Sequence, residues 1–190
     1  GFPFFEKTFK SVVDQSEGDF EWLIINDNSE DSQVEKLLSY AATDSRISVL
    51  KCCEGSGAGA ARNTGLLRFS HKYLTFIDAD DEWSREFLAT MKEILDTSSL
   101  SSAFSGYVRR RGEEHLGAFL PTGTFAAEDI IAGNPISCLT FMCKPDPTKE
   151  MPVFGDLKLR NDLCFFYDYL QVYGPSKAVP KAFAVYNLHQ

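Results

Sequence analysis

The stretch Tyr73-Leu74-Thr75-Phe76-Ile77-Asp78-Ala79-Asp80-Asp81 decides how this chain is read. Aromatic and β-branched residues run to Ile77 and stop abruptly at three carboxylates within four positions. The first part reads as a short buried strand. The second part concentrates negative charge at that strand's carboxyl end, which is costly unless a cation or strong donors neutralise it. Oxygen ligation of a hard divalent ion, with a diphosphate completing the shell, meets that need. An acidic turn at the head of the next helix meets it too, because carboxylates favour helix N-termini. The cluster alone leaves both readings open.

Outward from it, strands and helices alternate. FEWLII at residues 20–25 is a second strand, ending in Asn26-Asp27-Asn28-Ser29, and RISVL at 46–50 is another. Between them residues 33–42 form an amphipathic helix with Ser29 as its N-cap. FFEKTFKSVVDQ at 4–15 places Phe5, Phe9, Val12 and Val13 near helical spacing. A glycine-rich turn opens a helix over residues 58–69, and Ser84 caps another over 85–95. This alternation predicts an α/β domain with a mostly parallel sheet flanked by helices. Ligands of such sheets gather at the strands' carboxyl ends, where both acidic clusters lie, so one shared cleft is expected. The second half reads as a smaller mixed region: a strand at 103–108, a turn or hairpin at 109–114, a strand at 135–142 and a loop at 144–147. A helix at 157–170 and an extended segment at 177–186 close the chain.

The 190 residues suit one compact domain. With 19 basic and 27 acidic residues the formal charge is −8, which argues against nucleic-acid binding through a broad basic face. No apolar run reaches the ~18 residues of a membrane-spanning helix, and residues 1–5 lack the basic and apolar regions of a signal peptide. The five cysteines show no paired CxxC spacing. Cys138 and Cys143 lie in an apolar run as small buried hydrophobes, and a reduced, cytoplasmic setting is expected.

Two further features bear on chemistry. Gly55-x-Gly57-x-x-Ala60 after a strand nominally satisfies a dinucleotide fingerprint, with Asp78 as its acidic partner. That fingerprint's acidic residue usually stands alone, whereas Asp78 opens a cluster, and Arg62-Asn63 on the first turn is better placed to meet an anionic ligand. Phosphatases with an aspartate pair after a strand are a further rival, but Asp81-Glu82-Trp83 does not supply the Thr or Val that they place there. Arg160-Asn161-Asp162 opens an apolar helix, where Asp162 serves either as a dipole partner or as a general base directed into a cleft.

Four ordered stretches together resemble family 2 glycosyltransferases of the Rossmann-like GT-A fold. They are residues 4–32, residues 57–83 (GAGAARNTGLLRFSHKYLTFIDADDEW), NPISCLTFM at 134–142, and residues 159–190. The resemblance implies that residues 1–98 form the nucleotide-sugar-binding half of the domain, and 99–190 the acceptor-binding and catalytic-base half. It implies Asp27 at the nucleotide base, Arg62 of an ARN motif beside the nucleotide, and Asp78 and Asp80 as the outer residues of a DxD motif. Asp80 would be the direct ligand of Mg2+ or Mn2+, with Asp78 nearer the ribose and metal-bound water. Asp81 and His189 are further candidate metal ligands, and Asp162 is the catalytic base. The implied reaction moves a sugar from a nucleotide-diphosphate sugar, a UDP-sugar, to a saccharide or lipid-linked saccharide. The implied setting is bacterial surface polysaccharide synthesis at the inner face of the membrane. Two departures stand out: Asn161 occupies a position usually held by Glu, and the family's first strand, ending in a Pro-x-Tyr-Asn-like turn, has no counterpart ahead of Gly1-Phe2-Pro3. A non-catalytic nucleotide-sugar-binding remnant is therefore the alternative to an enzyme.

Overall fold

The computed structural model describes residues 4–53, 55–155 and 160–188. Its first half holds α1 (Phe5–Val13), β1 (Trp22–Asn26), α2 (Asp31–Ala41), β2 (Ile47–Lys51), α3 (Ala58–Leu66), β3 (Leu74–Thr75), β4 (Glu82–Trp83) and α4 (Phe87–Thr97). The second half holds β5 (Ser102–Arg111), β6 (Glu114–Phe119), β7 (Thr124–Phe125), α5 (Ala127–Ala132), β8 (Phe141–Cys143), α6 (Asn161–Tyr173) and β9 (Ser176–Asn187). β1 and β2 form a parallel pair, and the other strands form one sheet in the order β3-β8-β5-β9-β4, with β6 on β5 and β7 on β9.

Period-two alternation gives this larger sheet two apolar faces. Phe104, Phe141 and Cys143 point to one face, where they pack with Phe165, Phe166 and Tyr169 of α6 and Ile130 of α5. Ala103 and Met142, their neighbours in sequence, point to the other, against Phe87, Met91 and Leu95 of α4. A third cluster holds β1 and β2 to α1 and α2 through Phe5, Ile24, Leu37 and Ile47. The α/β class and the flanking helices agree with the sequence.

The pairing is less parallel than expected: among the described residues only β1–β2 and β5–β9 run parallel. β5 and β6 are joined by Gly112-Glu113 alone, with Gly112 at φ 58, and a two-residue link of that kind builds only an antiparallel hairpin. Other expectations shift locally. Residues 138–140 form a 3-10 turn and β8 begins only at Phe141, because Thr140 turns its amide and its hydroxyl back to the Ser137 carbonyl. Ser29 does not cap α2. Its amide donates to Asn26 Oδ1 at 3.0 Å and Glu30 takes the cap position. Likewise Glu86, not Ser84, precedes α4, although the Ser84 carbonyl accepts from the Phe87 amide at 3.1 Å.

β1 and the segment carrying β3 face each other across a groove of about 730 Å3, lined by residues 20–25 on one side and 71–79 on the other. Among the described residues β1 pairs only with β2, and β3 only with β8. The Trp22 amide donates to Arg46 O and the Asn26 carbonyl accepts from Cys52 N, both on the β2 side. By strand alternation the Ile24 amide shares that side, while the amides of Leu23 and Ile25 face the groove. Hydrogen exchange of the 190-residue chain should therefore show Ile24 protected and Leu23 and Ile25 exchanging far faster. Equal protection of all three would mean that the groove edge is paired.

Candidate active site

The acidic turn is held from beneath. After β3 the chain runs to Ile77 and turns so that the Asp81 amide donates to the Asp78 carbonyl at 3.2 Å. Asp81 is 2% exposed, and its Oδ1 accepts the Asn187 amide at 2.8 Å. The Asn187 side chain donates to the Asp80 carbonyl at 2.6 Å and accepts from Arg110 Nε at 3.0 Å. Arg110 also pairs with Glu82. The ends of β5 and β9 thus fix the main chain of the turn. Burial, reinforced by Asp78, Asp80 and Glu82 and opposed by the Asn187 amide, pushes the Asp81 carboxyl up to about 8. Asp78 and Asp80 are half-buried.

Arg62 lies against this turn on the first turns of α3. Its Nη2 donates to Asp78 Oδ1 at 2.6 Å, with side-chain exposures of 13% for Arg62 and 43% for Asp78. Its guanidinium sits 5.3 Å from the centre of the Phe154 ring. Burial works against the Arg62 charge, but the carboxylates of Asp78 and Asp162 outweigh it and raise its pKa above the ordinary value. Asp78 and Asp162 act on Cys138 as well, whose thiol burial pushes up to about 12, so it stays neutral. Arg62 and Cys138 therefore lie within electrostatic reach of both Asp78 and Asp162. Asp162 is half-buried in the first turn of α6, and its Oδ1 accepts the Leu163 amide at 2.9 Å.

Asp27 stands at the carboxyl end of β1, where its Oδ2 accepts the Gly57 amide at 2.5 Å. This contact ties the β1 turn to the glycine-rich loop, and Gly57, at φ 91, needs its missing side chain to reach it. The amide that a dinucleotide reading would aim at a pyrophosphate is thus occupied by a carboxylate. Asp27, Arg62, Asp78 and Asp80 all sit at or beside the strand ends, as expected. Asp81 instead faces the interior, and His189 lies outside the described residues. Among the described residues no three His, Cys, Asp or Glu side chains are gathered as a metal cage.

Asn63, expected with Arg62 to meet an anionic ligand, turns instead to the main chain of Phe154, with Nδ2 to Phe154 O at 2.9 Å and Phe154 N to Oδ1 at 2.8 Å. Two further residues of the site region went unassigned by sequence reasoning. Phe154 is a buried link between α3 and α6, and Asn187 is the brace of the acidic turn. Each acts through contacts more than 90 residues apart, which no local pattern announces.

Fold and site define a class. The solved structure of Staphylococcus aureus TarS 1–349 in complex with UDP-GlcNAc matches 99% of this chain and 56% of its own at a TM-score of 0.75 and 17% identity. The mannosyltransferase PcManGT from Pyrobaculum calidifontis, in complex with GDP-Man and Mn2+, matches 98% of this chain and 53% of its own at 0.66 and 15%. The architecture is that of GT-A glycosyltransferases. The sequence narrows this further: the model of Glycosyl transferase family 2 matches residues 2–143, and the chain belongs to that family. A relative in Bacillus subtilis (strain 168), the glycosyltransferase TuaG, named for teichuronic acid biosynthesis, is 29% identical over 189 residues, 98% of this chain and 71% of TuaG. The chain thus spans a little over half of the two solved structures. No helix among the described residues is long and apolar enough to cross a membrane.

Proposed function

We propose that this chain carries the donor-binding and base-bearing core of an inverting glycosyltransferase. The donor is a nucleotide-diphosphate sugar, in this reading a UDP-sugar, and the acceptor a hydroxyl of a saccharide or lipid-linked saccharide. The observation that carries the reading is Arg62, a half-buried cation within reach of both the acidic turn and Asp162. A diphosphate entering the cleft would compete with Asp78 for that guanidinium and gain a charge-assisted contact. Asp27 stands at the entrance where the base would lie. Asp162 accepts the proton of the acceptor hydroxyl as its oxygen attacks the anomeric carbon. The nucleotide sugars bound in TarS (UDP-GlcNAc) and PcManGT (GDP-Man) support the donor class, and the naming of TuaG for teichuronic acid biosynthesis supports a role in bacterial surface polysaccharide assembly.

The donor set at the turn fits a hard divalent ion, Mg2+ or Mn2+, once a diphosphate supplies part of the shell. Asp80 and the second oxygen of Asp78 are the protein ligands, and Asp81 is engaged in the interior. When bound, such an ion would supply electrostatic and Lewis-acid stabilisation of the leaving diphosphate.

A panel of nucleotide sugars scored by thermal shift with and without Mn2+ tests the reading. A bound donor at ~100 times its dissociation constant adds about 2.7 kcal/mol, a clear rise in Tm. No rise with any nucleotide sugar would overturn it. In calorimetry Asp80→Ala should abolish the metal-dependent part of donor affinity, and unchanged affinity would remove Asp80 from the ligand set. Donor binding without transfer or donor hydrolysis would identify a binding module.

A further inference from the structure

We infer that Asn63 is a positioning residue for Asp162, acting through the main chain of Phe154. The inference rests on the reading of Asp162 as the base. Asn63 makes two hydrogen bonds to the main chain of one residue, donating to Phe154 O at 2.9 Å and accepting from Phe154 N at 2.8 Å. A primary amide is the side chain that offers both a donor and an acceptor at this reach. The clamped residue is 2% exposed. Its ring lies face to face with that of Phe165, centroids 4.1 Å apart and planes 5° apart. Phe165 follows Asp162 by three positions, on the adjoining turn of α6.

Phe76, two residues before Asp78, meets both rings edge-on, at 5.4 Å from Phe154 and 5.8 Å from Phe165. The same three elements meet again at Gly59. A Cβ there would lie 2.8 Å from Asn161 Nδ2 and 3.4 Å from the Gly155 carbonyl, so α3 approaches the α6 N-terminus as closely as a glycine allows. Arg62 and Asn63, adjacent in sequence, thus divide their work. Arg62 faces the acidic turn, while Asn63 holds Phe154, whose ring stacks on the turn of α6 next to Asp162. Misplacing a reacting group by about 1 Å costs on the order of 10²-fold in rate.

The test compares Asn63→Ala with wild type in the full-length protein, measuring transfer kcat, donor affinity by calorimetry, and hydrogen exchange. Transfer kcat per folded molecule should fall about 10²-fold with donor affinity nearly unchanged. The amides of Phe154 and of residues 161–165 should exchange faster. Gly59→Ala leaves the Asn63 bonds in place and pushes on Asn161. It should also lower kcat without weakening donor binding, and it serves if Asn63→Ala does not fold. Unchanged kcat per folded molecule in both variants overturns the inference, as does donor affinity falling in step with kcat, which would put Asn63 on the donor. Unaltered exchange over residues 161–165 in Asn63→Ala overturns it without reference to any substrate. A wild type that binds no nucleotide sugar would instead remove the proposed function, a distinct result.

Discussion

Asp162→Asn is expected to lower transfer by ~10²–10⁴-fold, the usual worth of a positioned general base, while donor affinity stays the same or tightens slightly. Asparagine is nearly isosteric with aspartate, and its Oδ1 still accepts the Leu163 amide that Asp162 accepts at 2.9 Å. The helix start is therefore preserved. On the donor side Arg62 keeps Asp78, and Asp27 keeps the Gly57 amide. The one electrostatic change is that Arg62 loses a nearby anion, leaving more of its charge for a diphosphate. Single-turnover transfer read beside calorimetric donor binding separates the two effects. Wild-type turnover would remove Asp162 as base, and lost donor binding would make it a donor contact.

Most of the frame was legible because it is written in short-range patterns. The strand at 20–25 and the helix at 4–15 are visible as hydrophobic periods, and the observed β1 and α1 match them within two residues. The charged, glycine-containing stretch at 109–114 was read as a turn or hairpin, and the structure turns at Gly112-Glu113 into β6, a strand the sequence reading did not place. What escaped is long-range. Residues 73–77 all have strand character, yet only Leu74 and Thr75 pair, because the partner edge, not the propensity, decides where a ladder runs. The apolar run at 135–142 hid a 3-10 turn that local hydrogen bonding produces. In the site, the position of Asp27, Asp78 and Asp80 beyond strand ends, and of Arg62 on the helix after the glycine-rich turn, followed from the α/β pattern. The roles of Asn63 and Asn187 did not, since amides bonding distant main chain look like any other surface amide.

The two braces differ in kind. Asn63 fixes Phe154 through neutral hydrogen bonds that pH does not reach. Asn187 fixes the acidic turn through a carboxylate, so that turn carries a pH-dependent term. This matters for Asp81, which the sequence offered as a third metal ligand and the fold uses as an interior anchor.

Asp81→Asn should accordingly stabilise the metal-free protein at alkaline pH. The folded-state pKa is about 8 against the 3.8 of an ordinary aspartate, raised by burial and by Asp78, Asp80 and Glu82. A raised carboxyl pKa means the folded state holds its proton where the unfolded state has released it. Folding stability is then undiminished below about pH 4 and falls as pH rises towards 8, levelling off above it. Each pKa unit corresponds to ~1.4 kcal/mol. A shift of this size therefore amounts to several kcal/mol at most, and relaxation of the turn reduces it. Asparagine cannot ionise and its Oδ1 still accepts the Asn187 amide, so it removes the penalty and keeps the anchor. In chelator-treated buffer the variant's Tm should exceed wild type at pH 8 by several degrees, at ~2–4 °C per kcal/mol for a chain of this size, and converge with it as pH falls to about 4. A variant less stable than wild type at pH 8 would mean that the ionised carboxylate is held by donors beyond Asn187. A loss of donor-linked metal binding in the same variant would return Asp81 to the ligand set beside Asp80.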